Sequence, residues 1–284
     1  MRLPLRACLW ALTLAILAPA VAVAQGVYVS IPPQAFLVEW LAGNLVHVDV
    51  MLPPGASPAT YEPTPKQMVA LDRSQIYLQI GAPFEAPVLA KVADLMPDLR
   101  VVDCRAGVTL ETLGATGHSH DAGVLDPHIW LDPQRMKLIA ATTAKALQTL
   151  LPDEAPEIED RLAALHKAID DTDHRVADVL APYTGNTMVV FHPAYGYFAR
   201  RYGLIQMAVE VDGKTPSARR LASVVNELSD QPVRALFVQP QFSRSAAERV
   251  ANALDCDLVE LDPVAGDYLT NLEIMADRIA GALQ

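Results

Sequence analysis

Residues 153–180 read DEAPEIEDRLAALHKAIDDTDHRVADVL, and this stretch decides the fold. Ile158, Leu162, Leu165, Ile169, Val176 and Val179 recur at spacings of three, four and seven, with Asp, Glu, His, Lys and Arg between them. That is the period of an amphipathic helix with one apolar stripe. At about 1.5 Å per residue the segment spans roughly 40 Å. A floppy linker would be rich in Gly and Ser instead. The spacing predicts one stiff helix, with two helices broken near residues 170–173 as the alternative.

On either side, short apolar strands alternate with amphipathic helices. Strands are expected at residues 27–31, 46–52, 76–80 and 99–102 before the long helix. Four more are expected at 188–191, 205–211, 234–238 and 257–261 after it. Thr64-Pro65, Asp132-Pro133 and Thr215-Pro216 each place a capping side chain before a proline at the first helical position. Alternation of this kind builds parallel sheets covered on both faces. The expected fold is α/β, with two four-stranded parallel-sheet lobes joined by one long rigid backbone helix. Residues 25–151 form the first lobe, 152–182 the linking helix and 183–284 the second lobe.

Residues 1–24 stand apart. Arg2 and Arg6 precede an apolar run from Ala7 to Leu17, and Ala22-Val23-Ala24 is a small-x-small cleavage site before Gln25. This is the pattern of a cleaved secretory signal peptide, so a periplasmic location is expected. Removing the segment takes away two arginines and no acid, which moves the net charge from −11 to −13. So acidic a chain lacks the basic face that nucleic acid requires. A 51% hydrophobic fraction with 19% charged residues is enough for a core and excludes disorder. Cys104 and Cys256 remain in the mature chain and could pair in an oxidising compartment. Three cysteines in all exclude a four-thiolate zinc site.

Ligands of open parallel sheets bind beyond the carboxyl ends of the strands. The polar residues placed there are His128, His192 and Asp267. Two imidazoles and a carboxylate drawn from both lobes suit a borderline metal such as zinc. The chain has no G-x-G-x-x-G, phosphate loop, H-E-x-x-H, G-x-S-x-G or C-x-x-C motif. The remaining histidines read as ordinary side chains. His47 lies in a strand, and His166 and His174 lie on the charged face of the long helix. Trp130 and Tyr195–Tyr197 read as packing around the site.

Several segments carry a family resemblance. They are Tyr61-Glu62-Pro63-Thr64-Pro65, Asp126-Pro127-His128-Ile129-Trp130-Leu131-Asp132-Pro133 and Phe191-His192-Pro193-Ala194-Tyr195-Gly196-Tyr197-Phe198. Pro216-Ser217-Ala218-Arg219-Arg220-Leu221, Phe237-Val238-Gln239-Pro240-Gln241-Phe242-Ser243 and Leu261-Asp262-Pro263 ahead of Asp267 continue the match. In order along the mature chain, they resemble the zinc- and manganese-type periplasmic solute-binding proteins of bacterial ABC metal importers. The resemblance implies a metal held between the lobes and delivered to an ABC permease in the inner membrane, by a monomer that is not an enzyme. It assigns His128, His192 and Asp267 as ligands. With His at the third position it favours Zn2+ over Mn2+ or Fe2+.

At the first ligand position the family pattern Pro-His-x-Tyr-Glu-Pro becomes Pro58-Ala59-Thr60-Tyr61-Glu62-Pro63, with Ala59 where the imidazole would stand. A methyl group binds no metal, and zinc wants a fourth donor. Water could supply it, as could His118 or His120 from the short Gly117-His118-Ser119-His120-Asp121 segment, or Glu62. A pre-chelated metal, or none, is the remaining possibility. Two other functions stay open: an accessory metal carrier or sensor, and a zinc hydrolase with Glu62 as its base.

Overall fold

A computed structural model describes residues 25–113, 123–210, 217–227 and 233–284. The first sheet contains β1 (Gln25–Val29), β2 (Val46–Val50), β3 (Ile76–Gln79) and β4 (Arg100–Asp103), ordered β2-β1-β3-β4 with every pair parallel. The second contains β5 (Thr187–Val190), β6 (Ile205–Ala208), β7 (Ala235–Val238) and β8 (Asp257–Glu260), ordered β6-β5-β7-β8 and again parallel. The two sheets share one topology. The expected strands are all present, most of them shorter than their apolar runs. Ile31 has turned into the cap of the next helix, and Val209 and Glu210 lie just past β6.

The helices that cover the first sheet are α1 (Pro32–Ala42), α2 (Pro65–Asp72), α3 (Glu85–Leu95) and α4 (Pro133–Leu150). Thr64 accepts a hydrogen bond from Gln67 N at 3.3 Å, and Asp132 accepts one from Gln134 N at 2.9 Å, so both expected caps form. The long segment is a single helix, α5 (Ala155–Leu180), preceded by a 3-10 turn at Pro152–Glu154. Its 26 residues cover about 39 Å. Ile158, Leu162, Leu165, Ile169 and Val176 are buried against α1, α4 and the last helix of the chain.

No break occurs near residues 170–173, because the polar residues there have partners. Asp173 is buried, accepting from Arg201 Nε and Tyr202 Oη at 3.0 Å each and from Gln134 at 2.9 Å. His166 is half-buried, with Nε2 3.2 Å from the Lys137 carbonyl, so only His174 is exposed as expected.

The second lobe adds α6 (Gly196–Arg201), α7 (Ala218–Glu227), α8 (Arg244–Leu254) and α9 (Tyr268–Leu283). The expected signal peptide, the Pro216 helix start, His118 and His120 lie outside the described residues. Among the described residues no helix is long and apolar enough to cross a membrane. Cys104 and Cys256 are both free thiols, so the pairing considered from the sequence does not form. Cys104 is buried at the end of β4, where its Sγ meets Thr143 Oγ1 of α4 at 3.9 Å.

Buried hydrogen bonds tie the lobes together. Trp130 Nε1 donates to the Pro263 carbonyl at 2.6 Å, and Tyr268 Oη returns a bond to the Trp130 carbonyl at 2.9 Å. Tyr197, on α6, accepts from Glu111 N at 2.8 Å, and Arg135 and Arg200 lie against its ring. The loops that follow the strands therefore face one another across a fixed seam.

Candidate metal centre

A cavity of about 190 Å³ lies in that seam. Its wall comes from the carboxyl ends of six strands, as the rule for open parallel sheets requires. Ser57, Pro58 and Ala59 follow β2, Gly81 and Pro83 follow β3, and Leu113, Val124, Leu125, Pro127 and His128 follow β4. From the second lobe come His192 and Ala194 after β5, Gln239, Gln241 and Phe242 after β7, and Pro263 and Val264 after β8. At Gly81 the backbone has φ of +85°, and a Cβ would lie 2.7 Å from the Arg105 side chain, so glycine is required. Glu85 fastens this turn by accepting from the amides of Ile80 and Gly81 at 2.8 and 2.7 Å.

His128 and His192 meet here from opposite lobes, with ring centroids 5.6 Å apart and planes at 77°. Each ring is held from behind by a buried carboxylate. Asp126 Oδ1 accepts from the backbone amide of His128 at 2.9 Å and lies 2.8 Å from its Nδ1. Glu210 Oε2 lies 3.1 Å from Nδ1 of His192. A carboxylate only accepts, so Nδ1 carries the proton in each neutral ring and Nε2 keeps its lone pair. This is the second-sphere arrangement that orients metal-binding imidazoles and raises their basicity. Trp130 packs edge-on against His128, with centroids 5.4 Å apart, and Phe242 packs against His192 at 5.5 Å.

Ala59 lines the cavity with both histidines, where the resemblance puts the first ligand. Of the other sequence candidates that are described, Asp267 and Glu62 do not line the cavity. Asp267 is the exposed residue that starts α9, and Glu62 is also exposed. Among the described residues no three His, Cys, Asp or Glu side chains gather as a metal-binding group.

Sequence reading missed Glu210. The expected strand ran through residue 211 and placed Glu210 inside it, whereas β6 stops at Ala208. With the strand ended there, the same rule that selects His192 also selects Glu210.

Residues 27–282 match the model of a protein family described as zinc-uptake complex component A, periplasmic. The chain belongs to this zinc-uptake component A family. Similar to it is the Haemophilus ducreyi protein named high-affinity zinc uptake system protein ZnuA, 27% identical over 96% of this chain and 97% of its own. A solved structure described as a crystal structure of ZnuA superposes with a TM-score of 0.85 at 35% identity, covering 92% of this chain and all of that one. A ZnuA deletion mutant with zinc bound gives 0.84 at 35% identity, covering 92% and 98%. Its family places the chain among solute-binding components, and the two-lobe architecture is the one these structures share.

Proposed function

We propose that this chain is the periplasmic capture component of an ABC importer. It binds Zn2+ between its lobes through His128 and His192 and delivers it to a permease in the inner membrane. The observation that carries the reading is the convergence of two imidazoles from separate lobes, each with Nδ1 committed to a buried carboxylate and Nε2 left for a metal. Imidazole donors rank zinc above manganese and ferrous iron, which favour oxygen-rich sites or bind more weakly. Asp126 and Glu210 offset the charge of a divalent ion beside the rings. Family membership and the zinc-related names of the relatives support the same assignment.

The reading is one of binding, not catalysis. Glu62, the base a hydrolase would need, is exposed and away from the cavity wall. In competition titration against a fluorescent zinc chelator, His128→Ala and His192→Ala should each lose at least about 100-fold in affinity. Unchanged affinity in both variants would refute the site. Asp267→Asn separates the carboxylate of the family pattern from an ordinary helix start. Weaker zinc binding with unchanged thermal stability marks Asp267 as a ligand.

A further inference from the structure

A bare ion occupies only a small part of a cavity of about 190 Å³. The walls of this cavity are also unlike a site for a naked cation. Leu113, Val124, Leu125 and Phe242 give it an apolar face, and Ser57 and Gln241 contribute neutral polar groups. Apolar walls with a few placed hydrogen-bonding groups are the mark of a pocket for a small organic molecule. A structural zinc site, in contrast, is closed by four protein donors. Ala59 adds to the room, since the imidazole expected there would extend into the space its methyl group leaves.

The polar groups also have capacity to spare. Gln241 Nε2 donates to Asp262 Oδ1 at 2.8 Å, which leaves Oε1 able to accept. Ser57 Oγ accepts from Ala59 N at 3.3 Å, which leaves its hydroxyl able to donate. An amino acid that binds through its amine and carboxylate releases its ammonium proton to solvent and brings one negative charge to the divalent ion.

We propose that this site takes zinc together with a small chelator of amino-acid type. The chelator's amine and carboxylate complete the coordination begun by His128 and His192. Its amine hydrogens are placed to reach Gln241, its carboxylate to reach Ser57, and its body packs on the apolar face. This inference rests on the zinc-capture reading above.

The test uses the mature protein with zinc chloride, with and without excess L-histidine, read by competition titration and native mass spectrometry. After correction for zinc bound by free histidine, the amino acid should tighten zinc capture at least tenfold and yield a 1:1:1 species. Ala59→His should tighten binding of zinc alone and abolish the histidine gain. The proposal is overturned if L-histidine only competes for zinc, as it would if a protein side chain already closed the site. Failure to bind zinc in either condition would overturn the capture reading as well, so the two failures are distinguishable.

Discussion

Glu210 Oε2 lies 3.1 Å from Nδ1 of His192, joining the ends of the adjacent strands β5 and β6 behind the cavity. The Glu210 side chain is 3% exposed, so this bond forms away from competing water. It fixes which nitrogen of His192 faces a metal. Second-sphere partners of this kind are worth about 10- to 100-fold in metal affinity. Glu210→Ala should therefore weaken zinc binding by that factor, and Glu210→Gln, whose carbonyl oxygen still accepts, should restore much of it. Equal losses in the two variants would point to a packing defect instead.

Gly196 carries a second prediction. It begins α6 in the second lobe, and a Cβ added there would stand 2.8 Å from Asp126 Oδ2 in the first lobe. Asp126 cannot swing aside freely, because its Oδ1 holds both the amide and Nδ1 of His128. Overpacking costs about 1–3 kcal/mol, and the gain from replacing Gly with Ala is smaller at this first helical position than in a helix interior. Gly196→Ala should lower stability slightly in a denaturant titration yet weaken zinc binding clearly, since Asp126 must turn away from His128.

The two-lobe plan and the long helix were legible because they rest on periodicity. The stripe from Ile158 to Val179 needs no knowledge of its partners to read as a helix. His192 was legible because it stands just past the end of β5, and His128 because it stands between the loop after β4 and the next helical turn. Glu210 was hidden by a single apolar residue, Val211, which lengthened the expected strand past its end. Asp173 was hidden for a different reason: its burial depends on Arg201, Tyr202 and Gln134, and no local pattern records that meeting. The cavity volume was equally invisible, since it depends on six loops arriving together.

The free thiols give a chemical check on the fold. Burial pushes the Cys104 thiol up to about 12 and the Cys256 thiol up to about 11, nearby acids adding to the effect in both cases. Only the thiolate attacks disulfide reagents, and at pH 8 a thiol near 11 is about one part in a thousand ionised. The native protein should react slowly with an aromatic disulfide reagent at pH 8, Cys104 slowest of all. In denaturant a chain expressed from Gln25 onward should release two equivalents at once. Fast reaction of both thiols in the folded protein would mean that neither is shielded by the fold.

Asp173 is expected to contribute to the loss of stability in acid. Burial alone would raise its pKa, but hydrogen bonds from Arg201 and Gln134, the Arg201 charge and the Tyr202 hydroxyl outweigh it and hold the carboxyl below the ordinary range. An acid depressed in the folded state stabilises the protein above its unfolded pKa of about 3.9. That contribution fades as pH falls through the lower, folded value, because the unfolded chain takes up the proton first. Thermal melting followed from pH 7 to pH 2 should show a steep loss of stability below about pH 4. Asp173→Asn should be less stable at pH 7, because Arg201 and Tyr202 lose their charged partner. Its melting temperature should also fall less between pH 4 and pH 2 than that of the unmodified protein. Parallel curves for the two proteins across that window would show that other carboxylates govern acid unfolding.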